Sequence, residues 1–187
     1  MRNIVPAPKP DVPAFFDTVI TQVQDKLISE LPWLTHAFGK AQSLVRTRDG
    51  RDYRYPGVYV KRNEYQSVEP NQGLGNYSFF ILEDPQDVEF HKGTFGRITG
   101  RYALIFWVDL STVGSDSEAV KQEVLGVLKR ELRLTGGSSL TVNSIFEKAQ
   151  SVFKEYSMSE VESQYMMYPY AGLRFEGEIS FLEQCNT

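Results

Sequence analysis

One stretch near the C-terminal end constrains the fold more than any other. Leu173, Phe175, Gly177, Ile179 and Phe181 alternate with Arg174, Glu176, Glu178, Ser180 and Leu182. Side chains along a strand point to opposite faces with a period of two, so this pattern describes a half-buried β-strand with one face on a core and the other toward water. A second run, Arg101 to Leu110, is apolar on both faces: Tyr102, Leu104, Phe106 and Val108 alternate with Ala103, Ile105 and Trp107. That is the signature of a strand covered on both sides. It belongs in the middle of a sheet that the C-terminal strand closes.

The remaining elements follow from spacing and punctuation. A helix is expected from near Asp11, with Pro13 in its first turn and Phe15, Phe16, Val19, Ile20, Val23, Leu27 and Leu31 on one stripe; Pro32 ends it. Residues from Ala41 onward read as a hairpin turning at Asp49 and Gly50, a dipeptide that accepts positive φ, with Pro56 and Gly57 bending or interrupting its second strand. Asn63 to Asn76 reads as a long polar loop, Ser78 to Leu82 as a short strand ended by Asp84 and Pro85. Ser115 and Glu118 suggest a capping box before a helix striped by Val120, Val124, Val127, Leu128 and Leu132, which stops before Gly136 and Gly137. A third helix is expected to carry Ile145, Phe146, Ala149, Val152, Phe153 and Tyr156. Strands that cluster before helices argue for α+β: a single domain at 11–187, with a mainly antiparallel sheet and the N-terminal and two later helices packed on one face. Met1 to Pro10, with three prolines, reads as an extended arm.

A chain of 187 residues fits one domain. A net charge of -4 opposes bulk attraction to nucleic acid or anionic lipid. The longest apolar run, Ala103 to Val108, is far below the roughly 20 residues of a membrane-spanning helix, and the early prolines do not suit a signal peptide. The single Cys185 excludes an intramolecular disulfide and any cysteine-cluster metal site.

Chemical motifs are weak throughout. His36 and His91 have no ligand-spaced partner, and there is no GxSxG setting for a nucleophile. Gly73 and Gly75 lack the third glycine of a dinucleotide loop, and Gly93-Thr94-Phe95-Gly96 has GXXG spacing without the flanking helices of a KH domain. Glu176 and Glu178 are paired carboxylates, but on the polar side of an amphipathic strand, where a solvated pair is the expectation. No catalytic residue, cofactor or metal is expected.

Charge order is more informative. Arg46, Arg48, Arg51, Arg54, Lys61 and Arg62 give the hairpin an excess of +4 over Asp49 and Asp52. The next segment carries Glu64, Glu69, Glu83, Asp84, Asp87 and Glu89 and no base. The two either neutralise each other within one sheet or face different neighbours in a head-to-tail contact of the kind that builds rings and filaments. Arg46, Arg48, Arg51, Arg54, Glu64, Glu69, Asp84 and Asp87 are the candidate interface residues.

The order of a leading helix (FFDTVITQVQDKL), a hairpin, a central apolar strand (RYALIFWVDL), a striped helix (EAVKQEVLGVLKREL) and a closing strand (YAGLRFEGEISF) resembles the tail terminator, or tail completion, proteins of long-tailed bacteriophages and prophages. The resemblance runs from about Ala14 to Leu182. It implies a non-enzymatic α+β subunit that forms a ring, commonly a hexamer, capping the tail tube and meeting head-tail connector proteins, in the cytoplasm during assembly and then in the virion. The proline arm, the Asn63 to Asn76 loop and the Ser157 to Pro169 segment depart from it, and no functional residue carries over. The alternative expectation is a small ligand-binding domain or hydrolase with a pocket under the 63–76 loop. Membrane and nucleic-acid partners are not expected.

Overall fold

A computed structural model describes residues 8–10, 13–61, 64–91 and 95–184. Residues 1–7 of the expected arm, Asp11 at the expected helix start, Arg62, Asn63, Gly93, Thr94 and Cys185 lie outside them. The doubly apolar run is the core of β5 (Phe95–Asp109), which pairs antiparallel with β4 (Tyr77–His91) on one side and β8 (Tyr170–Gln184) on the other. Leu104 stands between Phe80 and Phe175 in that register. The central and closing strands are therefore where their alternation puts them.

The sheet continues outward from β4 through β1 (His36–Arg48), β2 (Arg51–Lys61) and β3 (Glu64–Ser67). On the far side β6 (Ser139–Leu140) and β7 (Ser144–Phe146) both pair with β8. All these pairings are antiparallel except β1 with β4. The chain is a single α+β domain with a mixed, mostly antiparallel sheet.

Two apolar layers cover the sheet. On one face lie α1 (Phe16–Glu30) and α3 (Ser117–Gly126). Phe16, Val19, Ile20, Val23 and Leu27 of α1 and Val120 and Val124 of α3 pack against Phe80, Leu104, Phe106, Leu173 and Phe175. Each such side chain contributes about 2 kcal/mol by leaving water. Asp116 caps α3, its carboxylate accepting from the Ala119 amide at 2.8 Å, so the cap is one residue later than the expected Ser115.

The opposite face is covered without a long helix. Phe38, Val58, Tyr77, Phe79, Ile105 and Trp107 meet Val152, Phe153 and Tyr156 from a connecting segment whose only α-helical turn is α4 (Ala149–Val152). The expected third helix is thus reduced to one turn and packs opposite the other two. Ile145 and Phe146 belong instead to β7, paired with Phe175 and Arg174, where they satisfy backbone groups on the edge of β8 that a helix would leave unpaired.

Other boundaries also differ. α1 starts at Phe16, because Phe15 takes φ 50 and leaves Pro13 before the helix. β4 runs through Asp84 and Pro85: the register slips between Glu83 and Asp87, and this bulge accommodates the proline that would otherwise end the strand. Pro56 and Gly57 stay in unbroken register with Ser43 and Gln42. Pro56 points its carbonyl away from β1 and accepts from the Val68 amide at 3.0 Å, so its missing N–H costs the β1–β2 ladder nothing. The Asp49-Gly50 turn is as expected, with φ of 51 and 71. The 63–76 loop is largely structured, containing β3, a 3-10 turn at Gln72–Leu74 and the fully buried Val68.

A short additional helix, α2 (Leu110–Val113), follows β5, and Asn76 binds this end of the sheet together. Its amide nitrogen donates to the Trp33 carbonyl and the Thr112 hydroxyl, both at 3.0 Å, and its side-chain oxygen accepts from the Asp109 amide at 2.8 Å.

Gly177 has a comparable role on the other side of β8. A Cβ there would lie 1.8 Å from the Thr141 carbonyl oxygen, which also accepts from the Tyr102 hydroxyl at 2.8 Å. The one-residue slip between β6 and β7, which lets Thr141 lean over β8, fits only over a residue without a side chain. Gly177→Ala is expected to destabilise the fold by about 2 to 3 kcal/mol, a Tm loss of roughly 5 to 10 °C by calorimetry; an unchanged Tm would contradict that close approach.

Candidate functional site

The described residues hold no group of three or more His, Cys, Asp or Glu placed to bind a metal ion. His36 pairs with Tyr77 at the start of β4 and His91 ends that strand, which sets them roughly 40 Å apart at the rise of an extended chain. No helix among the described residues is long and apolar enough to cross a membrane. Gly73 sits in the short 3-10 turn, away from any strand-to-helix junction.

The candidate interface residues separate into two groups. Arg46 is engaged internally: its guanidinium makes a two-pronged pair with Glu69 at 2.8 and 2.9 Å and lies 5.0 Å from the Tyr55 ring. Glu64 pairs with Lys61 at 2.8 Å. These contacts neutralise one base near the turn of the hairpin and one at its far end within the chain. Arg48, Arg51 and Arg54 stand exposed toward the hairpin tip, and Asp84 and Asp87 stand exposed on β4.

What separates those groups is a fork in the sheet. β1 pairs with β4 only from His36 to Lys40, opposite Tyr77 to Phe80, and then leaves it to continue with β2. Beyond Phe80, β4 has no strand on that side among the described residues. One branch is the basic β1–β2 hairpin and the other is the acidic outer part of β4, backed by β5 and β8. Each branch exposes a large apolar residue amid its charges: Val45 at 55% and Val88 at 50%.

The carboxylate pair on β8 is also resolved. Glu178 is exposed, but Glu176 belongs to an ion cluster around Arg174, whose side chain is fully buried under the α4 segment. Arg174 donates to both oxygens of Glu155 at 2.7 and 2.5 Å, to Glu176 at 2.6 Å and to the Val152 carbonyl at 3.1 Å. Lys154 also donates to Glu176 at 2.7 Å. Burial opposes the charge on Arg174, yet the bonds to Glu155 and Glu176 outweigh it and hold the guanidinium ionised. Next to this cluster, Trp107 stacks on Tyr170 at 4.6 Å, and Tyr77, fully buried, donates to the Val68 carbonyl at 2.7 Å. Burial pushes the Tyr77, Tyr102 and Tyr156 hydroxyls above the ordinary phenol range, so they remain neutral.

The Arg174 cluster was not evident from alternation, which assigned that face to water. The signal was present in Val152, Phe153 and Tyr156, apolar residues in need of a second face to cover. A further polar residue hides in the α1 stripe. Gln24 follows Ile20 by four and precedes Leu27 by three, so it faces the core, and it is 2% exposed.

Two cavities border the former loop. One, of about 180 Å³, lies between α1 and β1–β3 and is lined by Gln24, Tyr59 and Tyr65 among others. The other, of about 440 Å³, is a more open hollow beside Asn76, Trp107 and Tyr170, whose Asn76 side chain already has partners on both its oxygen and its nitrogen. Neither holds a nucleophile with an adjacent base. Comparison with protein-family models and with curated proteins finds no match to this chain.

Burial raises Glu176, and the bonds from Lys154 and Arg174 overcome it and hold the carboxyl below its ordinary value. A folded pKa below the unfolded one, about 4.3, contributes stability that is complete above that value and is lost as pH falls through the folded pKa. Tm measured from pH 6 down to about 3 should therefore fall more steeply for the wild type than for Glu176→Gln. Parallel curves would show that the cluster carries no linkage.

Proposed function

We propose that the chain is a structural subunit of a phage-like tail, a ring-forming tail terminator or completion protein that works through contacts with copies of itself. The forked sheet carries this reading. A basic hairpin and an acidic strand edge diverge from one core, so the two cannot satisfy each other within a subunit and are presented to different neighbours. Opposite charges on separate branches suit a head-to-tail contact, which closes into a ring when the rotation allows. Val45 and Val88 would supply the apolar centre of that contact, and the open edge of β4 would supply backbone partners. The element order shared with tail terminators agrees with such an assembly, and tail or connector proteins would then occupy the ring's two faces.

The contact narrows to Arg51 and Arg54 against Asp84 and Asp87, since Arg46, Arg48, Glu64 and Glu69 are engaged within the chain. Sedimentation at low salt is expected to show a concentration-dependent oligomer, with rings in negative stain. R51E with R54E, or D84K with D87K, should weaken self-association roughly tenfold or more, and combining all four should restore it. A strict monomer at low salt, or a quadruple variant no better than either double, would rule out this contact.

A further inference from the structure

Thr21 and Gln24, which line the cavity between α1 and the inner ends of β1–β3, each carry a buried side-chain oxygen without a partner among the described residues. Gln24 donates through Nε2 to the Ala37 carbonyl at 2.7 Å, but its Oε1 has no hydrogen-bond partner among the described residues. Thr21 Oγ1, one helical turn earlier, is likewise buried and without a partner among the described residues. An acceptor left unpaired away from water costs about 1 to 3 kcal/mol, so two on one helical face beside a cavity point to a group that fills it.

The other walls define that group. Asp17 of α1 and Lys40 of β1 stand at the rim, their carboxylate oxygen and ammonium nitrogen 4.0 Å apart. That is too far for a direct hydrogen bond and leaves both heads open to a third party. Tyr59 and Tyr65, edge to face with centroids 6.2 Å apart, form an aromatic side. About 180 Å³ is slightly more than the roughly 150 Å³ that holds benzene, so the occupant has about six to eight non-hydrogen atoms.

We propose that this cavity binds a small zwitterion of the α-amino acid class. Its ammonium donates to Gln24 Oε1 and to the Asp17 carboxylate, its carboxylate accepts from Lys40 Nζ, and its side chain lies along Tyr59 and Tyr65. A simple amine leaves Lys40 unanswered, and a simple acid leaves Gln24 and Asp17 unanswered. The site is independent of the self-association surface, since none of its residues lies on the outer hairpin or on β4.

Gly39 supplies a clean block. A Cβ there would stand 3.7 Å from Gln24 Nε2 and 3.8 Å from Oε1, ordinary contact distances, so Gly39→Ala adds a methyl group to the cavity without a clash. The probes are L-alanine, L-alaninamide, which lacks the carboxylate, and propionate, which lacks the ammonium. In NMR titrations L-alanine should shift the signals of Thr21, Gln24 and Gly39, with the other two probes binding at least tenfold more weakly. Gly39→Ala should abolish the response while keeping the wild-type Tm. Lys40→Met should weaken L-alanine about tenfold and leave L-alaninamide unchanged. Equal responses to all three probes would overturn the assignment, as would no shift with L-alanine, L-valine or L-proline up to about 50 mM, the range that detects millimolar affinity; the cavity would then hold water only.

Discussion

Everything in this fold depends on β5 being apolar on both faces. A strand that buries Leu104 and Phe106 on one side and Ile105 and Trp107 on the other needs two coats, and a chain of this length has few elements to provide them. The first coat is conventional, a pair of amphipathic helices. The second is assembled from irregular chain: Val152, Phe153 and Tyr156 around a single helical turn, with aromatic rings filling the space that a helix would have occupied. Because loops carry more unsatisfied backbone than helices do, this coat also needs polar anchoring. Arg174 meets that need by binding the Val152 carbonyl and the Glu155 carboxylate from beneath.

The parts legible in the sequence were those governed by local periodicity. The alternation at 101–110 and 173–182, the α1 and α3 stripes and the Asp49-Gly50 turn each state their geometry within a few residues. What was not legible depended on partners distant in the chain. Ile145 and Phe146 have helical spacing relative to Ala149 and Val152, yet the open edge of β8 drew them into a strand. Asp84-Pro85 carries a stop signal, yet the long β5 opposite kept β4 extended through a bulge. Of the candidate interface residues, Arg46 and Glu69 found each other 23 residues apart, a pairing that charge order permits but does not require. The orphan oxygen of Gln24 could be inferred only from its place in the stripe, and its significance only from the cavity beside it.

Buried charge and buried amide play different roles here. Arg174 is saturated by its neighbours, and such a closed ion cluster contributes more to a defined geometry than to net stability. Gln24 is half satisfied among the described residues, so its amide is a standing cost in a core made mostly of aliphatic and aromatic side chains. Closed and open polar groups thus mark, respectively, the structural and the receptive sides of the same sheet.

The fork has a mechanical consequence. β1 is one unbroken strand that begins in the core, parallel to β4, and ends at the tip of the hairpin. A pull on that tip along the strand runs straight back to His36, where the ladder to β4 lies lengthwise to the force and its bonds share the load at once instead of opening one by one. At that same end the Asn76 carbonyl accepts from the Thr35 and His36 amides, tying β1 to the root of β4. The hairpin is therefore built as a tension member, stiff along its own axis and stayed from the side where the Arg54 backbone bonds to Ser157.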